Sequence, residues 1–110
     1  MSLAAGDIDF AKELFGALPD LSTRKMFGGL GLYSDGVIFA LMRSDGQMLL
    51  KAQSGSAFAD RLAGMGSDQW TYTRKSGTLS SMPYWSLPDA ALDDPDLAVT
   101  LAREALAALR

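Results

Sequence analysis

Arg24-Lys25-Met26-Phe27-Gly28-Gly29-Leu30-Gly31-Leu32-Tyr33 is the stretch that decides how this chain folds. Three glycines within four residues ordinarily mark a loop. Here they lie between Met26-Phe27 and the apolar run Val37-Ile38-Phe39-Ala40-Leu41-Met42, both of which read as β-strand. Glycine within a strand pattern marks a bulge, or a place where another group approaches the backbone closely. One strand is therefore expected over Thr23 to Tyr33. It should be irregular at Gly28 and Gly29, with a ring such as Phe27, Tyr33 or Tyr72 lying across the bare backbone.

Working outward, Ser34-Asp35-Gly36 is a tight turn in which Gly36 supplies a positive φ. A second strand is expected over Val37 to Arg43. Ser44-Asp45-Gly46 repeats the turn chemistry, and a third strand follows over Gln47 to Ala52. Upstream, Asp7 reads as the N-cap of a helix over Ile8 to Leu18, with Phe10, Leu14 and Leu18 on one face and Pro19 as the stop. Downstream, Ser56 caps a helix to Ala63 that ends at Gly64. Gln69 to Thr73 and Leu79 to Met82 read as strands four and five, the latter ended by Pro83. Asp94-Pro95 opens the last helix, with Leu97, Leu101, Ala105 and Leu109 along one side.

The resulting order is α-β-β-β-α-β-β-α. That is an α+β, two-layer domain with a largely antiparallel five-stranded sheet. In strand two, strict alternation directs Val37, Phe39 and Leu41 to one face and Ile38, Ala40 and Met42 to the other. Both faces are apolar, so both need cover. Terminal helices, bulky aromatics from strands four and five, or a partner subunit could supply it. A homodimer through the sheet or the last helix is the expectation drawn from such a patch.

The chain has 110 residues, 48% of them hydrophobic and 21% charged, which suits a single folded domain over 1–110. Residues 1–6 are expected to fall outside it, and Ser2-Leu3 reads equally as a cloning remnant or as native chain. The formal charge of −3 offers no global field for nucleic acid, and the adjacent basic pairs are Arg24-Lys25 and Arg74-Lys75. There is no cysteine and no histidine, which removes thiolate chemistry, Cys-based zinc sites and the commonest general base. No basic, apolar leader opens the chain and no apolar run is long enough to span a bilayer, so a cytoplasmic protein is expected.

Candidate chemistry is sparse. Gly28-Gly29-Leu30-Gly31 is followed by strand rather than helix and lacks a Gly-Lys-Ser/Thr, unlike a phosphate loop. Asp89, Asp93, Asp94 and Asp96 do not follow a calcium-loop spacing, and capping explains Asp94 and Asp96. Ser80, Ser81 and Ser86 have no histidine to activate them, and Lys75 beside Ser80 is an ordinary hairpin pair. No catalytic residue, metal site or cofactor is expected. Arg24, Lys25, Tyr72, Arg74, Lys75 and Trp85 could form a binding surface of basic and aromatic groups. Equally, the basic side chains could simply guard sheet edges.

The glycine stretch and the block Met82-Pro83-Tyr84-Trp85-Ser86-Leu87-Pro88-Asp89 with Leu92-Asp93-Asp94 together resemble the N-terminal domain of the TfoX/Sxy family of bacterial competence regulators. The residues that carry the resemblance are Arg24, Met26, Phe27, Gly28, Gly29, Gly31 and Tyr33, then Phe39 and Ala40 in Gly36-Val37-Ile38-Phe39-Ala40, Lys51 after Leu50, and finally Tyr84 and Pro88. It covers the chain from about residue 7. It implies a cytoplasmic α+β domain of the secretion-chaperone-like type, with no enzymatic chemistry. It also implies a role in regulating transcription of DNA-uptake genes in concert with a cyclic-AMP receptor protein. Full-length competence regulators carry a second, C-terminal domain, and a stand-alone, single-domain member is expected here.

Two classes of function remain open on these grounds. One is a regulatory module that works through protein contacts with the transcription machinery or a receptor protein. The other is a small-molecule or nucleic-acid binder using the Arg24/Arg74 region. Tight direct binding to DNA is not expected, because two basic pairs neutralise few phosphates.

Overall fold

A computed structural model describes residues 5–26 and 28–109. Its elements are α1 (Ala5–Leu14), β1 (Leu21–Met26), β2 (Gly29–Ser34), β3 (Val37–Met42), β4 (Met48–Lys51), α2 (Ala57–Gly64), β5 (Gln69–Thr73), β6 (Leu79–Ser86), α3 (Asp89–Leu92) and α4 (Pro95–Leu109). The protein is an α+β domain built on an open antiparallel sheet. That sheet has six strands rather than five, in the order β1-β2-β3-β4-β6-β5.

The extra strand comes from the glycine stretch. Thr23 to Tyr33 is not one irregular strand but a hairpin. β1 ends at Met26, Gly28 takes φ 75°, and β2 starts at Gly29 directly opposite Met26. Phe27, a candidate for the ring over bare backbone, lies outside the described residues. The next turn is as expected, with an added feature. Asp35 (φ 51°) joins Gly36 (φ 78°) in the left-handed region, the pairing that a two-residue turn needs to match the twist of β2 and β3.

The irregularity falls further along, between Leu32 and Tyr33, where the β2–β3 register shifts. A bulge breaks strict alternation. Phe39 and Ala40 consequently both join the core under the helices, and only Leu41 of the expected Val37/Phe39/Leu41 set belongs to the opposite cluster.

β6 also departs from expectation by running through Pro83 to Ser86. In an antiparallel ladder a residue aims its N–H and C=O at the same neighbour. The Pro83 carbonyl accepts from the Ala52 N–H at 3.0 Å, so its missing N–H faces the end of β4, past the last ladder pair Lys51–Tyr84. On the other side the β5–β6 ladder bulges between Gln69 and Thr71. There the Gln69 side-chain amide donates to the Met82 carbonyl at 2.9 Å. The proline thus sits at the very end of the β4–β6 ladder, where its carbonyl still holds Ala52 and only the terminal bond is forgone.

All four described helices bury their apolar residues in one core, against one sheet face. α1 starts at Ala5, so Asp7 lies in its first turn rather than at the cap, and residues 5 and 6 belong to the fold. Its buried face is Ala11 and Leu14, continued by Phe15 and Leu18, while Phe10 is exposed. Ser56 caps α2 by accepting from the Ala59 N–H at 3.1 Å. Asp94 accepts from the Leu97 N–H at 3.2 Å at the start of α4. α4 buries Ala98, Leu101, Ala102 and Ala105 completely, a seam rotated from the expected Leu97/Leu109 line, and small residues let it lie close over β3 and β4. The short α3 was not anticipated. The element order is therefore α-β-β-β-β-α-β-β-α-α. No helix among the described residues is long and apolar enough to cross a membrane.

Candidate functional site: the helix-free sheet face

The sheet face opposite the helices holds a small second cluster. Leu41, Leu49 and Tyr84 are buried there, with Met26, Trp70 and Met82 packed against them. None of these residues comes from a helix. The face is closed by long side chains rising from its own strands, so aromatics and methionines supply the cover that strand two requires.

The register places much of the glycine motif on this face. Arg24 pairs with Gly31 and Met26 with Gly29 across β1–β2, and Lys51 pairs with Tyr84 across β4–β6. The Arg24 guanidinium lies 5.6 Å from the centre of the Tyr33 ring, a cation–π arrangement. A Cβ on Gly31 would meet the Met26 Cε at 2.8 Å and the Tyr33 ring at 3.2 Å. The expected ring over bare backbone is therefore Tyr33, joined by a thioether, and its bed is Gly31. Gly29 is bare for another reason: a Cβ there would overlap the Met42 carbonyl oxygen, so the hairpin can cross β3 only with glycine at that point.

At the other end of the face stands a pair that sequence reading did not single out. The Arg43 guanidinium lies 5.6 Å from the centre of the Trp70 ring. Asp45 holds it in place, accepting from Arg43 Nη2 at 2.8 Å and Nε at 3.2 Å. The Gln47 backbone N–H and then Arg43 hold the Asp45 carboxyl below the usual carboxylate range. Around the pair lies a polar cavity of about 320 Å³, lined also by Gln47, Asp68, Gln69 and Ser86. A smaller one of about 100 Å³ connects Trp70 and Arg43 to Met26, Gly29 and Leu41. Ser44-Asp45-Gly46 was legible as a turn. Trp70 carries no local signal, because Arg43 and Trp70 meet only through the strand order that sets β5 beyond β4 and β6.

Other expected site residues are dispersed. Phe39 and Ala40 are core, and Pro88 is a buried corner between β6 and α3. Gly28 is in the β1–β2 turn. Trp85 packs into the helix-side core, on the opposite face from its neighbour Tyr84, and its buried Nε1 has no hydrogen-bond partner. Lys25 is exposed on β1. Tyr72, Arg74 and Lys75 are exposed on or just beyond β5. β1 and β5 are opposite edges, roughly 24 Å apart at about 4.8 Å per strand, so Arg24 and Arg74 do not form one patch. Burial, with a smaller influence of the Tyr33 phenol, pushes the Tyr84 hydroxyl above its ordinary pKa. No group of three or more His, Cys, Asp or Glu among the described residues is placed to hold a metal ion.

Fold and face together define a small α+β domain with one sheet face under helices and the other clad in Arg, Met and aromatic side chains. Residues 13–109 match the model of the TfoX N-terminal domain, which spans nearly the whole chain, and the protein belongs to that family. Among curated proteins, no relative matches.

Proposed function

We propose that this chain is a non-enzymatic regulatory module that acts by protein contact through its helix-free sheet face, in the cytoplasm. One observation carries the reading. Of the family motif residues, Arg24, Met26, Gly29, Gly31, Tyr33, Lys51 and Tyr84 gather on that face, while Phe39 and Ala40 join the apolar core sealed under the helices. Arg, Met, Tyr and Trp are the residue types that enrich protein interfaces and their energetic centres. Membership of the TfoX N-terminal domain family supports a regulatory role related to competence. By the same resemblance the partner is the transcription machinery or a cyclic-AMP receptor protein.

The test is direct. The purified chain is titrated against purified cyclic-AMP receptor protein and RNA polymerase. Binding to either, weakened at least about tenfold by Trp70→Ala or Arg43→Ala with the melting midpoint little changed, supports the reading. Failure of the wild-type chain to bind either sinks it. A small-molecule or nucleic-acid binder using Arg24 and Arg74 together is less well supported, because those residues occupy opposite edges. A salt-sensitive gel shift lost in both Arg24→Ala and Arg74→Ala would revive it.

A further inference from the structure

The two edges of the sheet are guarded differently. Exposed strand edges offer unpaired N–H and C=O groups, and proteins blunt them with lysine, proline or charge. β1 carries Arg24-Lys25. β5 is Gln69-Trp70-Thr71-Tyr72-Thr73, with no charge and no proline; its only guard is the bulge near Gln69. The β5–β6 hairpin closes with the Arg74 N–H donating to the Thr78 carbonyl at 2.8 Å. Antiparallel ladders alternate, so the main-chain groups of Tyr72, paired with Ser80, face β6. Those of Thr71 and Thr73 then face outward from the edge. Of the three exposed large hydrophobic side chains among the described residues, Tyr72 (43% exposed) and Leu79 (66%) belong to this hairpin.

We infer that two copies of this chain join their β5 strands edge to edge, antiparallel, about a two-fold axis through Tyr72. In that register Thr71 of one copy faces Thr73 of the second, and each pair exchanges main-chain hydrogen bonds through the groups that point outward. The two Tyr72 rings meet at a non-hydrogen-bonded pair, where side chains come closest. Trp70 faces Arg74 of the second copy, the same cation and ring pairing that Arg43 makes with Trp70 within the chain. No like charges oppose one another. The same operation on β1 would set Arg24 and Lys25 of one copy near their own kind, which disfavours that edge. A two-fold isologous contact closes on itself and forms a dimer. The inference does not rest on the regulatory reading.

Sedimentation equilibrium on the full 110-residue chain gives the first readout, with a mass approaching twice 11.7 kDa as concentration rises. The chain has no cysteine, so Tyr72→Cys introduces the only thiol. Paired Cα atoms about 4.5 Å apart at this site fall within disulfide range, and mild oxidation should give a covalent dimer. Arg74→Cys is the control: its two copies lie roughly 14 Å apart in this register and should not cross-link. Tyr72→Lys and Tyr72→Glu should each be monomeric, and their equimolar mixture should recover the dimer. A wild-type chain that stays at monomer mass throughout, or equal cross-linking at positions 72 and 74, overturns the inference. Neither result would bear on binding to a transcription partner.

Discussion

The two faces of one sheet are closed by opposite means. On the helix side, Leu30, Leu32, Phe39, Met42 and Leu50 are almost fully sealed under separate elements, with the Phe15 and Phe39 rings packed edge to face at 5.2 Å between centroids. On the other side, among the described residues, Leu41 and Leu49 are covered by neighbours on the same sheet: Met26, Trp70, Met82 and Tyr84. A face covered by helices is committed to stability, because nothing can reach it without unfolding. A face covered by its own flexible side chains can be uncovered by rotamer changes alone, and methionine and arginine are well suited to such repacking. The difference separates the part of the motif that maintains the fold from the part available to a partner.

The largest expected effect tests the first half of that contrast. Phe39→Ala removes a ring from the sealed core and should cost about 3–5 kcal/mol in chemical denaturation, because the helices cannot collapse into the space. Leu41→Ala, at the neighbouring position on the other face, should cost less, about 2–3 kcal/mol, as the side chains above it settle inward. Equal losses would mean that the second face is as rigidly packed as the first.

Next in size is a contrast between two glycines of β2. Gly29→Val drives a side chain against the Met42 backbone, which cannot rotate away, and should cost roughly 1–3 kcal/mol. Gly31→Ala meets the far end of Met26, which can, and should cost less than about 1 kcal/mol. Thermal melts of the two variants side by side decide it. An unchanged midpoint for Gly29→Val would show that the crossing of β3 has room to spare.

The residues make plain why some of this was legible in the sequence. The caps at Ser56 and Asp94 and the turn at Asp35-Gly36 are local rules, satisfied within a few residues, and they stand as expected. The TfoX N-terminal domain likeness was legible too, because its most distinctive block, Arg24 to Tyr33, is contiguous. The glycine stretch was readable as a break in a strand but not as a hairpin: a bulge and a turn both call for glycine, and only pairing partners distinguish them. The Leu32/Tyr33 register shift then moved Phe39 across the sheet, which no alternation pattern anticipates. Pro83 appeared to end a strand because it cannot donate to a ladder, but β6 runs on past it because the bond it forgoes is only the last one of the β4–β6 ladder. The Arg43–Trp70 pair lay hidden for the same non-local reason. So did the separation of Arg24 from Arg74, since strand order is not written in any one strand.

The smallest expected effect asks how well the second face excludes water, and Tyr84 reports on it. Burial keeps its hydroxyl neutral to higher pH than the ordinary 10.0. An unfolded chain ionises the same group near pH 10, so above that pH the unfolded state loses a proton that the folded state retains. The stabilising contribution is therefore fully present below about pH 10 and fades as the pH rises further. Tyr84→Phe removes this titration while leaving the ring in place. Urea midpoints taken from about pH 8 to pH 11 should fall more steeply for the wild-type chain than for Tyr84→Phe, with the difference opening only near and above pH 10. All other side chains are common to the two proteins, so the difference isolates Tyr84. Parallel curves would mean that the Tyr84 hydroxyl is already wet in the folded protein, and that Met82, Trp70 and their neighbours leave the face open where the helices leave theirs closed. In that case the contrast between the two faces would be one of access even at rest, and a partner would find the site uncovered.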